Sequence, residues 1–95
     1  MNNIFLKFKT PCEVSAEIAK KAKEKRKYMH LTQVQLAERS GVSLGSLKRF
    51  ERTGEISLSS LLKIAMVLDS LNEFEKLFDK PEYTSIEEIL NDKNR

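Results

Sequence analysis

The sequence predicts an all-α fold: a compact five-helix domain with a short N-terminal strand or arm and a short C-terminal helical tail. Three observations predict it. The 95 residues include only 3 Gly and 2 Pro, too few for a turn-rich β-sandwich. Hydrophobic residues at 40% and charged residues at 33% give the balance of short helices with one solvated face. Helix-start signals recur at Thr10, Thr32, Ser43 and Ser57, each followed by apolar residues at helical spacing. The length suits a single core.

Taken in order, Ile4-Phe5-Leu6-Lys7-Phe8 is rich in β-formers and too short for a helix before Pro11, so it reads as a lone strand. Residues 1–10 are then an arm that frays or pairs with the same arm of a second chain. Thr10-Pro11-Cys12-Glu13 opens a helix over about 11–28. Thr10 caps it, Pro11 fits the first helical position and Glu13 completes a capping box. Val14, Ile18 and Ala22 mark its narrow buried face, Cys12 is expected as a small buried residue, and Tyr28, Met29 and His30 are expected to pack at its end.

Thr32 and Gln35 repeat the capping box, and Gly41 ends that second helix after about two turns. Ser43 caps a third helix from Leu44 to near Thr53-Gly54. Ser57 caps a fourth, with Leu58, Leu61, Leu62, Ala65 and Leu68 as its apolar positions. Asn72 opens a short fifth, where Phe74, Leu77 and Phe78 form a core lid, a dimer face or a mixture of the two. Past Asp79-Lys80-Pro81 the chain turns polar, and Thr84-Ser85-Ile86-Glu87-Glu88 caps a last turn or two. The expected divisions are residues 1–10 (arm), 11–78 (domain) and 79–95 (tail).

Charge is unevenly spread. Residues 1–53 hold 12 Lys/Arg against 5 Asp/Glu, whereas residues 54–95 hold 5 against 9, so a +7 half faces a −4 half. One half attracts polyanions. A single cysteine, Cys12, excludes an intrachain disulfide, and with the single histidine, His30, it cannot build a structural zinc site. No metal or cofactor is expected. No apolar run reaches the length of a membrane span and Asn2, Asn3 and Lys7 break up the start, so a cytoplasmic protein is expected. Ser43, Ser46, Ser57, Ser59 and Ser60 stand at helix starts, without a histidine or paired carboxylate beside them to act as a base. An enzyme is not expected.

The informative stretch is residues 33–52, QVQLAERSGVSLGSLKRFER. Two short helices can cross steeply at Gly41-Val42-Ser43 only with a small residue at the contact and a turn residue that tolerates positive φ. Ala37 and Gly41 supply these. Leu36, Val42, Leu47 and Phe50 supply a shared core, and charged residues avoid all six positions.

Leu31, Thr32, Gln33, Leu36, Ala37, Gly41, Val42 and Ser43 follow the plan of the Xre, or Cro/C1-type, helix-turn-helix family, which the segment from Leu31 to Phe78 resembles. Residues 43–54 further resemble regulators that accompany HipA-like kinase toxins, the HipB-like antitoxins. The resemblance implies double-stranded DNA as the partner. Gln33 would bond a phosphate and brace the recognition helix, and Ser43 would meet phosphate too. Base edges would be read from Leu44, Gly45, Ser46, Lys48 and Arg49. Arg49 is the best reader, since a guanidinium forks onto guanine O6 and N7; Lys48 and Arg52 are assigned to phosphates. Leu44, an apolar residue expected to be exposed, is either a capping staple or incidental surface leucine, or a contact for a thymine methyl. Gly45 permits close approach of the helix to DNA. In relatives an arginine seven residues before the helix-2 glutamine pairs with a late recognition-helix glutamate, so the resemblance implies that Arg26 pairs with Glu51 and locks the first helix to the third. Lys25 and Lys27 either track the DNA backbone or form a solvated face. The expected function is a DNA-binding transcriptional regulator, a repressor acting as a homodimer on a palindromic operator. The alternative is an antitoxin-like module whose acidic part, residues 69–95, neutralises a HipA-like toxin and which also regulates its own operon.

Overall fold

Among the described residues, every long helix begins where a hydroxyl accepts a hydrogen bond from the backbone three residues on. The structure, a computed structural model, describes residues 9–80; the strand expected at 4–8 and the turn expected after Thr84 lie outside the described residues. Thr10 Oγ1 accepts from the Glu13 N–H at 3.1 Å while the Glu13 carboxylate accepts from the Thr10 N–H at 2.8 Å. This reciprocal box opens α1, Pro11–Tyr28. Thr32 and Gln35 build the same box at the head of α2, Gln33–Ser40. Ser43 caps α3, Leu44–Thr53, and Ser57 caps α4, Leu58–Val67. Such caps contribute about 1 kcal/mol each. The short α5, Leu71–Glu75, departs from the expectation at Asn72: its N-cap is Ser70, which makes no side-chain cap bond.

The four longer helices end in two ways. Gly41 and Gly54 adopt left-handed φ values of +77° and +83° and stop α2 and α3. At the ends of α1 and α4 the left-handed residue is instead His30 or Asp69, at φ +59° and +58°. The Leu31 N–H donates to the Arg26 carbonyl at 3.0 Å and the Ser70 N–H to the Ala65 carbonyl at 2.8 Å, the long bond of a Schellman closure at each site. His30 thus turns the chain rather than packing on α1, and Tyr28 beside it is 82% exposed. Leu31 is the residue that enters the core there.

The core gathers Leu36, Leu47, Phe50 and Ile64, all nearly inaccessible, with Ala19, Ala37, Val42 and Leu68 around them. α3 packs on α1 and α2, α4 closes on α2, and α5 on α4. Two apolar stripes face the core as expected except at their first residue. On α1, Val14 is exposed, whereas Ile18 and Ala22 pack half-buried against the core beside the buried Ala19 and Arg26. On α4, Leu58 is exposed at the first turn, whereas Ala65 and Leu68 are buried, Leu61 packs against the core and Ile64 joins them. Cys12, expected to be buried, is exposed on the first turn of α1.

Candidate nucleic-acid interface

α3 is held at a fixed angle by two contacts on its inner side. The first is close packing at its end: a methyl at Gly54 would stand 2.9 Å from the backbone carbon of Ser15 and 3.1 Å from the nitrogen of Ala16. Only glycine meets both the left-handed φ and this approach to α1. The second is a buried ion pair. Arg26 Nε donates to Glu51 Oε2 at 2.7 Å and Nη2 to Oε1 at 3.1 Å, with the two side chains 7% and 3% exposed. Arg26 Nη1 also donates to the Leu31 carbonyl at 2.8 Å, and Gln33 Nε2 donates to Glu51 Oε1 at 2.8 Å. A two-pronged guanidinium–carboxylate fork fixes direction as well as distance. Helices α1, α2 and α3 therefore meet at one carboxylate, and no buried side-chain polar atom among the described residues lacks a partner.

The outer side of α3 is polar and open. Gly45, Ser46, Lys48, Arg49 and Arg52 are exposed. Ser43 Oγ accepts from the Ser46 N–H at 3.1 Å, and its hydroxyl donates to Ser46 Oγ at 3.0 Å, so these two hydroxyls are linked. A methyl built on Gly45 meets nothing within 4 Å. No internal contact therefore requires glycine there, although it weakens the helix by about 1 kcal/mol relative to Ala. Leu44 differs from its expectation as an exposed residue: it is half-buried and packed against the core. Ala37 and Gly41 stand at the α2–α3 crossing, Ala37 buried and Gly41 left-handed.

Arg49 is not free. Its guanidinium Nη2 forms an ion pair with Glu55 Oε1, and both side chains are well exposed, 63% and 65%. Glu55 follows Gly54, whose left-handed turn folds the chain back beside α3. Sequence reading missed Glu55, because a separation of six residues is not a helical contact spacing; the one available signal was the glycine between them. Of the α1 lysines, Lys25 Nζ donates to Ser70 Oγ at 2.8 Å and ties α1 to the α4–α5 turn. Lys27 is exposed.

A family model described as helix-turn-helix matches residues 23–74, from the second half of α1 into α5. No curated protein matches the chain.

Proposed function

The chain belongs to the Cro/C1-type helix-turn-helix family, and from that premise we propose that it is a sequence-specific transcriptional regulator, a repressor that grips a palindromic operator as a dimer. DNA binding is the business of the family domain; the repression, the palindrome and the dimer are our reading. One observation carries it: α3 is clamped from behind by a buried ion pair while its outer face offers three exposed cations around an unfilled position at Gly45. A helix that must enter a major groove needs a fixed angle, positive charge and room for the backbone to come close.

Within this reading residues 11–78 are the DNA-binding unit. Arg49 reads guanine, Gly45 and Ser46 lie nearest the base edges, and Lys48 and Arg52 neutralise phosphates. Gln33 uses one amide hydrogen on Glu51 and keeps a second for a phosphate oxygen, and Ser43 meets phosphate at the head of α3. Leu44 offers a thymine methyl only its outer edge. In a two-fold dimer the half-sites would lie about 34 Å apart. The experiment is a titration against random duplex and against an operator enriched by in-vitro selection, at two salt concentrations. Log affinity should fall against log salt with a slope of about −0.9 per phosphate contacted. Weak, salt-insensitive and equal binding to both duplexes would refute the reading.

A protein-binding role, antitoxin-like, is favoured by a different observation. Leu77 and Phe78 are 55% and 98% exposed in the turn beyond α5, in the acidic half of the chain. If a kinase-like toxin is the partner, capture of the neighbouring gene product should survive Arg49→Ala while operator binding is lost.

A further inference from the structure

Residues 43–57 contain three cations, Lys48, Arg49 and Arg52, and two carboxylates, Glu51 and Glu55. Glu51 is turned inward on Arg26, so Glu55 is the single exposed carboxylate of that segment. Its placement is built. Thr53 Oγ1 donates to the Arg49 carbonyl at 2.7 Å and accepts from the Glu55 N–H at 3.1 Å. One hydroxyl therefore links the backbone of Glu55 to that of the arginine it pairs with, and the turn at Gly54 completes the return.

We propose that Glu55 is a specificity-determining residue, whose carboxylate holds Arg49 in an exchangeable ion pair that random phosphates displace poorly and a guanine edge displaces well. The proposal rests on the DNA-binding reading of Arg49. A phosphate oxygen that takes Arg49 replaces one anion by another and leaves Glu55 unpaired beside the phosphate chain, where it is repelled. Guanine offers O6 and N7, two acceptors without net negative charge, in the geometry of the guanidinium fork. Releasing Glu55 there brings no anion against it. Both partners are well exposed, so the ion pair is weak and opens readily. It discriminates without blocking.

The test compares wild type, Glu55→Gln, Arg49→Ala and the double variant by fluorescence anisotropy, on random duplex and on the operator selected with wild type. Circular dichroism melts first establish that all four fold alike. Glu55→Gln should tighten binding to random duplex about two- to fivefold, the range expected of a surface ion pair. The operator should gain less, so the specificity ratio falls. In the Arg49→Ala background the gain should shrink by half or more. Unchanged affinity for random duplex overturns the proposal. So does an equal gain with and without Arg49, which would make Glu55 a general repulsive charge, and so does a loss of operator affinity, which would make it a base contact itself. Absence of duplex binding by wild type, seen before any substitution is compared, would bring down the reading of Arg49 and this proposal together.

Discussion

The two arginine–glutamate pairs of α3 use the same chemistry at opposite accessibility. Arg26 and Glu51 are 7% and 3% exposed and share a network with Gln33 and the Leu31 carbonyl. Arg49 and Glu55 are 63% and 65% exposed, with nothing further on the guanidinium among the described residues. Burial decides what each can do. In a low-dielectric surrounding a charge left alone is costly, so the inner pair persists and fixes the orientation of the helix. In water the same attraction competes with solvent and salt, so the outer pair can exchange partners. One helix thus carries a lock on one side and a labile contact on the other.

The comparison is best broken from the inside. Arg26→Ala leaves the Glu51 carboxylate buried with Gln33 alone, and should cost about 3–5 kcal/mol in a urea melt. Replacing both partners, Arg26→Met with Glu51→Leu, should recover much of that loss, since matched apolar groups carry no stranded charge. If the single variant melts like wild type, the lock is not structural. Next in size is Gly54→Ala, which combines a left-handed φ with a contact at 2.9 Å against α1. Strain and overpacking together should lower stability by about 2–4 kcal/mol, with operator affinity falling as the angle of α3 is lost.

Arg49→Ala probes the outer side and should reverse the pattern. Operator affinity should drop by about 1–3 kcal/mol, whereas the melting free energy should stay within about 0.5 kcal/mol of wild type. A large loss of stability would erase the distinction between the two pairs. The smallest effect sharpens the comparison with a third, exposed pair, Lys9 Nζ to Glu17 Oε2 at 2.7 Å. The hydrogen bond from Lys9 holds the Glu17 carboxyl below the usual glutamate range, helped by the charges of Lys9, Lys21 and Lys20. A depressed carboxyl favours the folded state above its unfolded pKa, and that contribution disappears as pH falls through the folded value. Carboxyl carbon NMR should show the Glu17 midpoint rise in Lys9→Gln, with a slight loss of stability at neutral pH that disappears in acid.

Helix starts were the most legible part of the sequence, because each is a local event: a hydroxyl and, in two cases, a carboxylate or amide three residues on. Helix ends were legible where glycine made them and illegible where His30 and Asp69 did, since either residue is common elsewhere. Buried faces were harder. α1 has an alanine-rich stripe that ends on an arginine, so hydrophobicity finds Ile18 and Ala22, which pack on the core, but adds the exposed Val14 and misses the buried Ala19 and Arg26. The α2–α3 crossing was readable from Ala37, Gly41 and the apolar spacing. The Arg26–Glu51 contact joins residues 25 apart, which no local pattern encodes; the family resemblance alone suggested it. Glu55 depended on the direction taken by the chain after Gly54, a tertiary fact.

The open space around Gly45 makes that position a handle for redesign. A side chain grafted there protrudes away from the interior, and a residue such as Gln or Arg would raise helix propensity by several tenths of a kcal/mol over glycine. Most attempts to rewrite what a protein recognises begin by sacrificing stability; here the first substitution should add a little.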